Sequence, residues 1–304
     1  MFRLATSPIA PLLGQRVPVR GPARLLNRSY LRMQRSAGHS ERVLRTSSGD
    51  LLRANLGSFQ EWHLWVYGSY EDYIARLFSY LVRPGDRCVD VGANIGLHTV
   101  RLAKLAGPQG EVIAVEPDPE IAGRARENIA LNGLANARVI QAAASAVAGE
   151  TVALYRAADL NPNRAMASLH PHEHLTGPAI EVQTITIDEA CPGPVALIKI
   201  DVEGHEAGVV AGAAQTIARY SPAIVFEYAP ELLAGQAQGP FRRLADAGYL
   251  MYRISNRRNP VTGRCRLELR PLHAQPESGG NLLAISEADA PRILPLVTRR
   301  DDYV

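Results

Sequence analysis

One short stretch limits what this chain can fold into more than any other. An apolar run from Cys88 closes on Asp90-Val91-Gly92-Ala93-Asn94-Ile95-Gly96 and opens directly into a helical pattern, Leu97 to Leu105. A strand that turns through small residues into a helix lets a ligand approach the backbone and offers it the free N–H groups of the helix N-terminus. A second apolar run, Val112 to Val115, ends at Glu116, 20 residues after Gly96. Doubly wound sheets place there the acid that accepts hydrogen bonds from ribose hydroxyls. Strand, glycine turn, helix, strand and acid in this order predict an adenosine site.

The turn departs from the dinucleotide pattern G-x-G-x-x-G. Asn94 stands where the second glycine lets a pyrophosphate approach. The pattern fits a ligand without phosphates, its adenosine beside Glu116 and its polar tail across the turn near Asp90.

The same rhythm continues. Helical spacing runs from Glu120 to Leu131 and a strand follows from Arg138 to Ala142. After an insertion with two strands, Thr151 to Arg156 and Ile180 to Ile187, come a strand at Ala196 to Ile200, a helix at His205 to Arg219 and a strand at Ala223 to Glu227. Strands apolar on both faces and joined by helices require a parallel sheet covered on two sides, so the fold class is α/β and doubly wound. The last third reads as a helix at Phe241 to Ala247 and strands at Tyr249 to Ser255, Arg266 to Arg270 and Asn281 to Ile285.

Charge divides the 304 residues unevenly. Residues 1–40 hold seven arginines and no acid, which leaves the remainder mildly acidic although the net charge is +3. That arm, with one helix expected around Ala23 to Gln34, reads first as a surface extension from an arginine-biased coding background; its composition is also that of an arm touching anionic lipid, nucleic acid or a sugar phosphate, or of a transit peptide. Residues 41–82 form a second segment: a strand at Arg42 to Thr46, then an aromatic stretch whose Ile74, Leu77, Phe78 and Leu81 recur at helical spacing. The main domain is expected over 83–290, with a tail at 291–304. No run of about 18 apolar residues exists, and Cys88, Cys191 and Cys265 are too few and too scattered for a disulfide framework. A reducing, cytoplasmic location is the expectation, with no nucleic-acid partner. Oligomeric state is not legible.

The residues Val89 to Gly96, then Glu116-Pro117, then Ile198-Lys199-Ile200-Asp201-Val202-Glu203-Gly204-His205-Glu206 resemble the FkbM-type methyltransferases over about residues 65 to 230. Tyr67-Gly68-Ser69-Tyr70-Glu71 is similar to that family's entry segment, and Ser168-Leu169 to its Ser-Leu in the inserted region. One departure is visible: the acid usual just after the third strand is Ala146 here. The resemblance implies the class I, Rossmann-like fold with a seven-stranded sheet, S-adenosylmethionine as cofactor and O-methylation of a sugar, glycan or secondary-metabolite scaffold. It implies a cofactor site of Glu71, Asp90, Gly92, Asn94, Gly96 and Glu116, the turn holding the methionine moiety.

A second group of charged residues lies further on. Of the 33 basic residues only Lys104 and Lys199 are lysine, and Lys199 interrupts the apolar run Ala196 to Ile200. A lysine on a central strand needs an anionic partner or a ligand. Asp201 and Glu227 end adjacent strands at the edge where ligands bind. An ion pair of Lys199 with either acid would support the sheet, and Glu206 reads as a helix-start acid meeting the dipole. Methylating a hydroxyl requires removal of its proton, for which Asp201, Glu227 and His205 are the candidate bases, with Lys199 steadying the oxygen. The sequence does not choose among them. The expected mechanism is metal-free; the competing use of Asp201 and Glu227 is to hold Mg²⁺. His170, His172 and His174 alternate in a polar loop and read as a solvated or substrate-facing stretch rather than a zinc site. Two other classes share such a sheet: a nicotinamide-dependent oxidoreductase, for which no hydride-transfer constellation is present, and a silent adenosine-binding module.

Overall fold

The computed structural model describes residues 41–158, 166–171, 173, 175–232, 239–258 and 265–298. The arm at 1–40, its expected helix, His172 and His174 lie outside the described residues.

The chain begins with a hairpin, β1 (Glu41–Arg45) and β2 (Leu51–Asn55), followed by α1 (Phe59–Tyr67) and α2 (Asp72–Leu81). The alternating part comprises β3 (Arg87–Val91), α3 (Leu97–Ala106), β4 (Glu111–Val115), α4 (Pro119–Leu131) and β5 (Ala137–Ile140). The insertion contributes β6 (Ala143–Ala144), β7 (Thr151–Arg156), β8 (Ala167–Ser168), β9 (Ile180–Ile185) and a single turn, α5 (Ile187–Ala190). Then follow β10 (Leu197–Ile200), α6 (Glu206–Gly212), α7 (Ala214–Tyr220), β11 (Ala223–Tyr228), α8 (Pro240–Asp246), β12 (Leu250–Arg258), β13 (Cys265–Leu272), β14 (Gly280–Ile285) and α9 (Ala290–Thr298).

The main sheet runs β13-β12-β14-β11-β10-β3-β4-β5. Its five strands from β11 to β5 are parallel, and β14, β12 and β13 continue it antiparallel. The strand count is therefore eight, not the expected seven: β13 folds back on β12 and becomes a new edge. The insertion forms its own small sheet, β6-β9-β7-β8.

The apolar residues of β3, β4 and β10 are buried on both faces of the sheet. On one face Val89, Ile113, Ile198 and Phe226 pack against Val209, Ile217, Phe241 and Leu244 of α6 to α8. On the other, Cys88, Val112, Leu197 and Val225 meet α2, α3 and α9. The helical spacing in α2 is realised: Ile74, Leu77, Phe78 and Leu81 are all buried, each worth about 1.5–3 kcal/mol relative to exposure.

Residues 41–82 pack on the main domain, Leu44, Leu52 and Leu64 sharing a core with Val100 and Ile129 of the sheet's helices. The backbone of β2 is tied to α4 by side chains, Arg53 N–H donating to Asn128 Oδ1 at 2.7 Å and Leu51 N–H to Asn132 Oδ1 at 3.0 Å. The expected tail is largely α9, whose Ile293 is buried against the sheet. The single helix expected over His205 to Arg219 breaks at Ala213. Gly212 there abuts the backbone, and a Cβ on it would lie 2.0 Å from the Ser145 carbonyl oxygen.

Candidate active site

The carboxyl ends of β3, β4 and β10 open into a cavity of about 240 Å³, roofed by α1 and by the insertion. Its floor is the glycine turn. Gly92 has φ +70 and a Cβ there would come within 1.8 Å of the Asp201 carbonyl oxygen, so only glycine lets this turn pack against the end of β10. Asn94 takes the left-handed conformation at φ 51, which asparagine tolerates better than most residues. Its N–H donates to Glu116 Oε2 at 2.9 Å, and its own Oδ1 accepts from Ile95 N–H at 2.7 Å. Glu116 thus fixes the turn, while its other oxygen accepts from Asp118 N–H at 3.1 Å. Burial is what pushes this carboxyl up to about 7, against the backbone donors of Asp118 and Asn94. Each of its oxygens retains an acceptor position, and the side chain lines the cavity.

Asp90 lies beneath this floor rather than in it. It is fully buried, does not line the cavity, and accepts from the Thr99 hydroxyl at 2.6 Å. Its other oxygen faces Lys199 Nζ at 3.6 Å. Lys199 also donates to Asp201 Oδ2 at 3.2 Å and to the Gly92 carbonyl at 3.4 Å. Burial disfavours the ammonium charge, but Asp201, Asp90 and Glu71 outweigh it and raise the lysine above its usual value. The anionic partner required by its position exists twice over.

Glu71 reaches the cavity from the junction of α1 and α2, on a left-handed backbone at φ 53. It is held by His98 Nε2 at 3.3 Å and by Asn281 Nδ2 at 3.0 Å, a residue 210 positions away on β14. Burial works against its charge, yet the His98 contact leaves the carboxyl below the usual range.

Asp201 and Glu227 are neighbours, as their adjacent strands demand. Asp201 is lowered despite burial, by the Lys199 charge and a hydrogen bond from Glu227. The Asp201 charge, then burial, push Glu227 up to about 9, so at neutral pH Glu227 carries the proton and donates it. Glu203, absent from the expected site, joins them: Asp201, Glu203 and Glu227 each bring an oxygen within 4.8 Å of the others. Asp201 and Glu227 share a proton through a direct hydrogen bond, and Glu203 stands beside the pair. Glu206 is buried and accepts from Gly204 N–H at 3.1 Å, the helix-start role expected of it. His205 lines the cavity, but both ring nitrogens are engaged, Nε2 with Ser145 Oγ at 3.1 Å and Nδ1 with His170 Nε2 at 3.3 Å. Burial and then His170 lower it to about 4, so the imidazole is neutral.

Among the aromatics, Trp62 is fully buried whereas Phe59 and Tyr70 line the cavity. Ala146 is exposed and takes no part; Ala143, Ala144 and Leu154 form the apolar wall beyond Glu116 instead.

A profile of the FkbM methyltransferase domain matches residues 90–251. The chain belongs to the FkbM methyltransferase family. Its cofactor is S-adenosylmethionine, and the residues present suit it: an acid with open acceptor positions beside a turn that carries no cation. The family reading replaces the nicotinamide alternative. This FkbM methyltransferase is 29% identical to the 2-O-methyltransferase NoeI of Sinorhizobium fredii over 56% of this chain and 74% of the relative. It is 41% identical to a protein-L-isoaspartate O-methyltransferase of Ignicoccus hospitalis over 19% of this chain, spanning only 28% of that relative. An S-adenosylmethionine-dependent O-methyltransferase from Thermotoga maritima superposes with a TM-score of 0.40 at 16% identity, covering 86% of this chain and 79% of the other. Among the described residues of the FkbM methyltransferase, no helix is long and apolar enough to cross a membrane.

The buried acids set a pH dependence of stability. Burial leads in raising Glu116, Glu203 and Glu206 from 4.5 to about 7, and the Asp201 charge leads in raising Glu227 to about 9. An acid raised on folding contributes stability that is full below its unfolded value and is lost as pH climbs through the folded one. His205, lowered from 6.5 to about 4, acts oppositely but only between those values. Above pH 6.5 the carboxyls alone change. The ligand-free enzyme is expected to melt at least about 2 °C lower at pH 8 than at pH 6.5 in a calorimetric scan; a flat or rising Tm would contradict these burials.

Proposed function

We propose that this FkbM methyltransferase transfers a methyl group to a hydroxyl oxygen of a sugar, glycan or small metabolite scaffold. One observation carries the reading. The cavity wall holds five acidic side chains, Glu61, Glu71, Glu116, Asp201 and Glu203, of which Glu61 is paired with Arg124 behind it, against a single lysine, Lys199, already paired with acids. Such a wall suits a ligand of net positive charge, whose sulfonium and ammonium outweigh its single carboxylate, and repels a pyrophosphate. Glu116 takes the ribose hydroxyls; Gly92, Asn94, Gly96 and Glu71 surround the methionine tail, with Asp90 supporting them from below.

When bound, S-adenosylmethionine supplies a methyl carbon already activated by its sulfur. The protein's part is to position an oxygen opposite that carbon and to receive its proton. Lys199 holds Asp201 ionised at the strand end, and the Asp201–Glu227 pair keeps negative charge beside the acceptor. Phe59, Met166, Ser168, Leu169 and His205 border the cavity on the side of α1 and the insertion, and there the acceptor enters. The similarity to a 2-O-methyltransferase supports oxygen as the methylated atom. Two free buried thiols, Cys88 and Cys191, suit a reducing cytoplasm.

Calorimetric titration with S-adenosylmethionine is expected to show micromolar binding, and NAD none. Radiolabelled methyl transfer to a panel of methyl glycosides of common hexoses and 6-deoxyhexoses is then expected to label at least one. NAD binding without a response to S-adenosylmethionine would overturn the reading, and cofactor binding without turnover on any hydroxyl would reduce the protein to a binding module.

A further inference from the structure

The geometry points to Glu203 as the general base that takes the acceptor's proton: its carboxylate stands unpartnered in the cavity, on a left-handed backbone clamped from two sides. This rests on hydroxyl methylation as proposed above. Glu203 belongs to neither the strand ends nor the glycine turn, the two places where the sequence pattern concentrates its candidates.

The backbone is the first observation. Glu203 has φ 49, a left-handed conformation that a residue with a side chain keeps only where its surroundings enforce it. Ser168 Oγ donates to the Glu203 carbonyl at 2.7 Å, and the next residue, Gly204 at φ 94, donates its N–H to Glu206 Oε1. The insertion and α6 therefore clamp this one residue, and its side chain lines the cavity.

The second observation is what surrounds it. Asp201 is bound to Lys199 and to Glu227; Glu227 already carries a proton; Glu206 accepts from Gly204; His205 has both nitrogens occupied. The Glu203 carboxylate accepts no hydrogen bond from any described residue. A base must offer a free lone pair to an incoming hydroxyl, and of these groups Glu203 is the one whose lone pairs are not shared with any described donor. The groups facing it tune it: burial first, then the Asp201 and Glu206 charges, raise it, Lys199 lowers it, Glu227 and His205 are neutral, and the result is about 7. A base poised there is half ionised at neutral pH and strong enough to hold a proton.

The step balances as follows. The acceptor oxygen forms a bond to the methyl carbon, the carbon–sulfur bond breaks with its electron pair returning to sulfur, and the O–H proton passes to a Glu203 carboxylate oxygen and then to solvent.

The test is Glu203→Gln assayed on the methyl glycoside panel across pH 5.5–9. The expected result is a fall in kcat of at least about a hundredfold with KM within about threefold, and loss of the acidic limb of kcat near pH 7. Glutamine is isosteric and uncharged, so the variant is expected to melt no lower than the parent, which excludes misfolding as the cause. A kcat within threefold of the parent, or an acidic limb that survives the substitution, overturns the assignment. A panel that yields no methylated product from the parent enzyme overturns hydroxyl methylation instead. In that case a ¹³C-carboxyl NMR titration, assigning Glu203 by difference against Glu203→Gln, still decides: titration near 7 supports the residue as a base, and titration near 4.5 overturns it.

Discussion

Replacing Lys199 by methionine is expected to cost about 3–5 kcal/mol of folding stability, read as a shift of the urea midpoint at pH 7.5. Methionine approximates the length and apolar stem of lysine, so the substitution chiefly removes the charge. What it leaves behind is the reason for the size of the effect. Asp90 has no exposure and, among the described residues, its side chain meets only the Thr99 hydroxyl and the ammonium 3.6 Å away. Breaking a buried pair from one side strands the other charge, whereas removing both partners is far milder. The double variant Lys199→Met with Asp90→Asn is therefore expected to recover more than half the loss, giving a coupling energy well above the few tenths of a kcal/mol seen between independent sites. A loss below about 1 kcal/mol in the single variant would contradict a buried ion pair between Lys199 and Asp90. Lys104, by contrast, pairs with the buried Asp50 at 2.8 Å but is itself a third exposed, and its removal should cost less.

Glu116→Ala is expected to weaken S-adenosylmethionine binding by at least about tenfold, roughly 1.4 kcal/mol, in calorimetric titration. Two losses combine. The direct one is a charged acceptor for ribose hydroxyls, and hydrogen bonds to charged groups are worth about 1.5–3 kcal/mol each. The indirect one is the turn itself, because Asn94 N–H is anchored on this carboxylate and loses its partner. The pH profile separates them. The free carboxyl sits at about 7 and the ionised form accepts best, so cofactor binding expels its proton. Affinity of the parent should rise between pH 6 and 8 and level off above, and Glu116→Ala should flatten that rise. A variant that binds as tightly as the parent would remove Glu116 from the cofactor site.

The core of the fold could be read from one strand-turn-helix-strand sequence because each of its signals is local. Apolar runs on both faces, helical spacing in Ile74 to Leu81 and left-handed positions filled by Gly92, Asn94 and Gly96 are set by neighbours a few residues away. Strand-end acids were legible for the same reason, since parallel topology forces Asp201 and Glu227 side by side. Asp90 illustrates the limit. Its place in the turn suggested contact with the cofactor's tail, and only packing shows it turned under the floor toward Thr99 and Lys199.

By itself, then, the sequence determined the doubly wound sheet, the glycine turn, the glutamate that follows β4 and the pairing of acids beside Lys199, all consequences of periodicity and turn chemistry along the chain. The tertiary structure alone decided which groups are free to act. The eighth strand arises from the fold-back of β13 on β12, whose pairing register no single strand specifies. Glu71 is steered by Asn281 from the far end of the chain, His205 is occupied by Ser145 and His170 from the insertion, and Glu203 is left without a hydrogen-bond partner among the described residues. Hydrogen bonding across long sequence separations carries no local pattern, so the identity of the unpaired carboxylate emerges only when the chain is packed.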